Sequence, residues 1–413
     1  MKATLLSPSP EGPPTVMPRS LVLLFAIASG LSVANVYYAQ PLLDALARDF
    51  AIGHAAIGGA IGHAAIGGAI AATQLGCALA LLLLVPLGDR LNRRRLMATQ
   101  VILLIAALFA VSLATSTVML LASMLAVGLL GTAMTQGLIA YAASAAAPSE
   151  QGRVVGAAQS GVFIGLLLAR VFSGSISDLF GWRGVYIFAA LLMLGIALPL
   201  WRRLPVLAVA SRPLSYPQLL ISMLALLRQE KNLQVRGMLA LLMFAAFNIF
   251  WSAVVLPLSA PPFSFSHTEI GALGLVGAIG ALAAGRAGQW ADRGYAQRTS
   301  AAALVILLMA WWPLSLMAWS PAALLIGIVM LDLGGQALHV TNQSMIFRSR
   351  PEVHSRLVGL YMLFYALGSA LGAISTTAVY ASAGWQGVCL LGASVSLLAL
   401  LFWLITRGMT TIG

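Results

Sequence analysis

Residues 181–185 read GWRGV and residues 384–388 read GWQGV, an interval of 384 − 181 = 203 positions. The same interval recurs three more times. It relates Asp89-Arg90 to Asp292-Arg293, PSEQGRVVG (148–156) to PEVHSRLVG (351–359), and Gly165 to Gly368. One constant offset across four separate stretches means that two halves of the chain follow one plan.

What that plan is follows from solubility. The 413 residues are 60% hydrophobic and only 8% charged, with a mean hydropathy of +0.95. A soluble domain carries about 25% charged residues, so most of this chain does not face water. Apolar runs of roughly 20 residues recur throughout, each long enough to cross a hydrocarbon layer about 30 Å thick. Lipid offers the backbone no hydrogen-bond partners, so the spans must be helices or a closed barrel. The runs are continuous and do not alternate in polarity, which selects helices.

Breaks at charges and at Pro/Gly-rich points predict twelve helices, over 20–43, 60–88, 96–115, 118–145, 153–176, 182–201, 235–258, 268–291, 299–318, 321–346, 355–381 and 385–406. The expected architecture is an all-α membrane protein with twelve transmembrane helices in two pseudo-symmetric six-helix bundles. Residues 1–18 are a Pro- and Ser-rich tail expected to be disordered. Residues 19–202 make the first bundle, 203–233 a central loop, and 234–413 the second bundle with a short tail. Within the loop, LLISMLALLRQEK (219–231) reads as an amphipathic helix along the membrane surface.

Charge orients the whole. Of 23 Lys and Arg residues, only Arg48 and Arg183 fall on one side, and Arg170 and Arg286 fall within spans. The remaining 19 gather on the side of both termini, which the positive-inside rule assigns to the cytoplasm. The net charge of +12 is thus a topology signal and no nucleic-acid footprint.

AIGHAAIGG is written twice, at 51–59 and 60–68. Residues 51–88 as one helix would run about 57 Å, far beyond a bilayer's need. The second copy is therefore expected to start the second span and the first to be pushed outward, as duplication that a loop tolerates. Without the extra copy's nine residues, earlier positions should pair at about 212; Asn35 and Asn248, 213 apart, are the one candidate.

Twelve spans in two halves, a long central loop and PLGDRLNRRRL (86–96) after the second span together resemble the major facilitator superfamily. Its loop signature reads G-x-L-x-D-R-x-G-R-R. Leu87, Asp89, Arg90, Arg93 and Arg94 match it, while Val85 and Asn92 stand at the two glycines; the second copy, GQWADRGYAQR (288–298), keeps Gly288, Asp292 and Arg293. LSVANVYYAQPLL (31–43) is similar to the first-helix motif of the bacterial drug and sugar efflux branch. That branch's antiporter motif, G-x8-G-x3-G-P-x2-G-G, is met at Gly156, Gly165 and Gly174 but not at Ala169, Arg170 and Ser173. The resemblance implies a bacterial inner-membrane exporter that exchanges a small molecule for protons. It also implies a conformational latch at Asp89, Arg90, Arg93, Arg94, Gly288, Asp292 and Arg293. A proton-independent facilitator or an importer of the same fold is the alternative.

Charged groups inside a span are costly and usually face a cavity or a partner. Asp332 lies near the middle of the tenth span, where a carboxylate could carry protons or merely stiffen the bundle. Arg170, deep in the fifth, could bind an anionic or polar group or form a gating pair. Gln336, His339 and Asn342 follow Asp332 at helical spacing, so they are expected to share its face. His339 could relay protons or simply pack. Asn35, Tyr37, Tyr38, Gln40 and Gln136 complete the expected substrate cavity, or else hydrogen-bond between helices.

Two cysteines inside spans, five scattered histidines and only Lys2 and Lys231 supply neither metal cluster, nucleophile triad nor phosphate-binding loop. No enzyme activity and no cofactor are expected. The expected partners are a small molecule, protons and the bilayer, with the chain working as a monomer.

Overall fold

The computed structural model describes residues 17–50, 60–89, 91–146, 150–205, 215–283, 290–347 and 354–410. The first half comprises α1 (Arg19–Tyr37), a short α2 (Leu43–Asp49), α3 (Ala60–Leu79), α4 (Arg93–Ser112), α5 (Thr117–Ala145) and α6 (Gln151–Arg203). After a linker helix, α7 (Tyr216–Gln229), the second half comprises α8 (Lys231–Ala253), a short α9 (Val255–Ser259), α10 (His267–Ala283), α11 (Ala296–Met309), a short α12 (Trp311–Ser315), α13 (Pro321–Phe347) and α14 (His354–Thr406).

Among the described residues, nine helical stretches are long and apolar enough to cross a membrane. Two of these have 51 and 54 residues, each sufficient for two crossings. Both bend where the opening pentapeptides stand: Gly181 has φ 71° and Gly384 has φ 59°. A side chain resists that left-handed backbone region, so glycine is what lets each long helix turn back. Counting each bent helix twice, and adding α10 with its 17 residues, gives twelve crossings in two bundles of six.

The repeat also reappears in packing. A Cβ built on Gly165 would lie 2.2 Å from the Gly30 carbonyl oxygen, and one on Gly368 would lie 2.1 Å from that of Leu241. Without side chains at these points α6 seats against α1, and α14 against α8, backbone to backbone, as small residues allow in membranes. The tryptophans after the bends repeat too: Trp182 Nε1 donates to Asp49 at 3.0 Å, and Trp385 Nε1 to the Leu314 carbonyl at 2.9 Å. Asn35 and Asn248 each donate to the carbonyl one turn back, Leu31 at 2.8 Å and Phe244 at 3.2 Å.

The linker helix starts on a capping box. The Ser215 hydroxyl accepts from the Gln218 N–H at 3.4 Å, and the Gln218 side chain accepts from the Ser215 N–H at 2.9 Å. Its buried face is Leu219, Met223 and Leu226, at helical spacing. Tyr216 donates to the Leu83 carbonyl at 2.9 Å and Arg356 to Ser222 at 3.3 Å, so the helix touches both bundles. The second nonapeptide copy opens α3 at Ala60; the first lies outside the described residues, as do residues 1–16. Arg236, counted in the sequence among the cytoplasmic charges, is fully buried near the start of α8. Its guanidinium donates to Ser300 at 2.9 Å and Asn342 at 3.3 Å.

Candidate functional site

A cavity of about 380 Å³ lies between the bundles, lined from α1, α3, α5, α6, α8, α13 and α14. Of the expected residues, Tyr37, Gln136, Gln336 and His339 line it. Its lining positions on α3, α5, α6, α13 and α14 fall toward the arginine-rich face, whereas those on α1 and α8 lie past the midpoints of those helices. At the opposite end the hydroxyls of Tyr37 and Tyr365, one from each bundle, hydrogen-bond to each other.

One turn beyond that contact lies the buried charge. Arg170 is 3% exposed and Asp332 7%. Arg170 Nε donates to Gln40 Oε1 at 3.1 Å, and its guanidinium lies over the Trp251 ring, 4.1 Å from the centroid, a cation–π contact. Gln40 donates onward to Asn248 across the bundle interface at 3.4 Å, and Asn248 donates to Ser369 at 2.9 Å. Asp332 comes from the other bundle. Asp332 Oδ2 and Arg170 Nη2 each lack a hydrogen-bond partner.

What brings the two together was missed in the sequence. Gly271, Gly274, Gly277 and Gly280 recur every three residues along α10. A Cβ on Gly277 would lie 2.6 Å from Asp332 Oδ2, one on Gly274 3.0 Å from Arg170 Cδ, and one on Gly271 2.4 Å from the Arg170 carbonyl oxygen. One bare helix face thus receives an arginine from the first bundle and an aspartate from the second.

The expected polar face of α13 divides. At about 100° per residue, Gln336 and His339 stay within roughly 40° of Asp332, whereas Asn342 is turned about 80° away. Asn342 accordingly accepts from Arg236 inside the second bundle and does not line the cavity; Gln343 does. His339 Nδ1 pairs with the Tyr361 hydroxyl at 2.9 Å. Asn35 and Tyr38 do not line it either: Asn35 Nδ2 donates to its own helix while its Oδ1 is buried without a partner, and Tyr38 packs against Phe172, ring centroids 5.3 Å apart. Arg170, Gln40 and Asp332 sit behind the cavity. Gln159 and Gln343, which the sequence reading passed over, line it.

A second inter-bundle contact joins the ends remote from the arginine-rich face. His267, first residue of α10, is held between two carboxylates of the first bundle, with Nε2 2.9 Å from Asp44 and Nδ1 3.0 Å from Asp178. Asp178 also accepts the backbone N–H groups of His267 at 3.1 Å and Thr268 at 2.8 Å, so an acid of one bundle caps a helix of the other. Hydrogen bonding to Asp44 raises the His267 pKa above its ordinary value, burial opposing and Asp178 assisting.

Of the expected latch, Arg90 and Gly288 lie outside the described residues, as do the side chains of Asp89 and Asp292. Arg93 donates to the Gly88 carbonyl at 2.9 Å and to Ser144, and Arg94 Nε to the Trp201 carbonyl at 3.0 Å. Both therefore pin α4 within its own bundle. Arg293 is exposed.

Two repeated bundles around a central cavity, each built of membrane-crossing helices, define a multi-pass membrane transporter. The family model described as Major Facilitator Superfamily matches residues 24–293 and again 237–411. The chain belongs to that family. It is 40% identical over 391 residues to the uncharacterized transporter YgaY of Escherichia coli O157:H7, covering 93% of this chain and 95% of that one. Its fold resembles a D-xylose-proton symporter, with TM-score 0.73, 13% identity, and coverage of 93% and 97%. It also resembles the human organic anion transporter MFSD10, with TM-score 0.67, 20% identity, and coverage of 94% and 100%.

Proposed function

We propose that this transporter exports a small molecule across a bacterial inner membrane in exchange for protons, both termini being cytoplasmic and the chain acting as a monomer. The observation that carries the reading is the Arg170–Asp332 pair. An acid and a base from opposite bundles are buried on one face of α10, each with a polar atom unspent.

Protonation of Asp332 removes the negative partner of Arg170. The guanidinium then leans on Gln40 and Trp251 alone, and Gln40 leads through Asn248 to the second bundle. Proton occupancy thereby biases the bundle interface directly beneath the Tyr37–Tyr365 contact. A substrate in the cavity acts on the same contact from the other side. That is a route for two ligands to favour different orientations of one rocking interface.

The test is proton flux in proteoliposomes loaded with a pH dye, using neutral aryl amides, sugars, small acids and lipophilic cations on the natural protein and on Asp332→Asn. Flux evoked by one compound class and lost in Asp332→Asn is the expected result. Equal movement of labelled compound in both proteins with no proton movement would make the protein a facilitator and Asp332 a structural residue.

A further inference from the structure

We infer that the substrate is an uncharged molecule with an aromatic or otherwise apolar body and several amide-like hydrogen-bonding edges. This rests on the transport reading above and names the ligand class of that same cavity.

Among the described residues, the lining contains no carboxylate, ammonium or guanidinium group. Arg170 and Asp332 stand one turn away, beyond the Tyr37–Tyr365 contact, against Gly274 and Gly277 of α10. An ion entering the cavity would lose hydration without meeting a counter-charge, a penalty a neutral molecule escapes. Aromatic walls are supplied by Phe163, Phe244 and Phe247 with the rings of Tyr37 and Tyr365, and Val, Leu, Ile and Met side chains fill in between them.

Polar capacity comes from four carboxamides, two per bundle: Gln136 on α5, Gln159 on α6, and Gln336 and Gln343 on α13. Among the described residues none of the four is hydrogen-bonded to protein, although each can both donate and accept. Four unspent amides around an apolar chamber suit a ring system carrying amide, imide or hydroxyl edges. A monosaccharide, hydroxylated on all sides, would leave polar groups against the aromatic and aliphatic walls. At about 380 Å³ the chamber is near the small end of ligand pockets, so one compact ring system fills it.

The experiment uses purified full-length protein and three compounds on one skeleton: a neutral N-aryl amide, its carboxylate analogue and its quaternary ammonium analogue. Binding is read by intrinsic tryptophan fluorescence, and exchange by counterflow in proteoliposomes without a pH gradient, so the ranking is independent of proton coupling. The neutral member should bind at least about tenfold more tightly than either ion. At pH 8, Gln336→Glu should raise the affinity of the ammonium analogue about tenfold and lower that of the neutral one. Gln336→Leu, close in volume and expected to fold, should weaken the neutral compound several-fold. A charged member binding best, a Gln336→Glu ranking unchanged from the natural protein, or no binding by any member would overturn the inference. Loss of proton flux in the presence of the expected ranking would overturn the exchange reading alone.

Discussion

The two bundles are copies in their packing and opposites in their charge. Gly165 and Gly368 seat equivalent helices, and Gly181 and Gly384 turn equivalent bends. Carried across by 203, however, Arg170 falls on Ala373 and Asp332 on Leu129. Gln136 falls on His339, and these two line the cavity from opposite bundles. What the repeat keeps is the way helices meet. What it gives up is symmetry at Arg170 and Asp332, where one bundle carries a buried cationic side chain and the other a buried acidic one.

That contrast can be broken on purpose. Asp332→Leu or Arg170→Ala alone, each importing the residue of the other half, leaves an uncompensated buried ion. It should cost about 3–5 kcal/mol, read as a drop in melting temperature of purified protein. The double variant should recover the natural melting temperature or exceed it, because apolar residues replace two opposite buried charges at little cost. It should also lose proton-driven transport. A double variant no more stable than the singles would mean that the two charges do not compensate each other.

The packing side of the comparison is sharpened by Gly165→Leu and Gly368→Leu. Both push a side chain into a facing backbone and should destabilise by about 1–3 kcal/mol or more, visible as loss of monodisperse protein on size exclusion. Tolerance at one position and failure at the other would show that the repeat is not equivalent in packing.

His267 gives a smaller, pH-dependent effect. Its pKa is raised in the folded protein, first by Asp44 and then by Asp178, with Arg48 also on Asp44 and Glu269 engaged by Ser266. The imidazolium's contribution is therefore complete below the ordinary histidine pKa of about 6.5 and is lost as pH rises through the raised value. Between about pH 5.5 and 8.5 the natural protein should lose roughly 1–2 °C of melting temperature relative to His267→Gln, since the site is partly exposed and screened. The smallest effect is expected for Arg183→Gln, which copies Gln386. Arg183 and its partner Asp49 are 43% and 41% exposed, so the change should stay within about 0.5 kcal/mol by melting.

How much of the site was legible varied with the kind of signal. A charge in an apolar span is visible at once, so Arg170 and Asp332 stood out. Their relation was not visible, because they are 162 residues apart and meet through a third helix. The glycines of α10 are plain in the sequence, but glycine is common in membrane helices and its spacing names no neighbour. On α13, spacing by three and four residues approximated one face, and accumulated rotation carried Asn342 out of it. Asn35 and Tyr38 failed as cavity residues for a simpler reason. Both side chains are buried in the packing between helices, so neither reaches the lumen.

The sequence by itself determined the helical membrane class, the twelve crossings, the two-fold repeat and the points where the long helices bend. These depend on apolar length, on constant offsets and on glycine's backbone freedom, all local to the chain. Only the tertiary structure decided which polar residues face the cavity, that Arg170 and Asp332 share one helix face, and that His267 joins two acids of the other bundle. Those relations depend on how far each helix is rotated and shifted against its neighbours, and packing across the bundle interface sets that rotation.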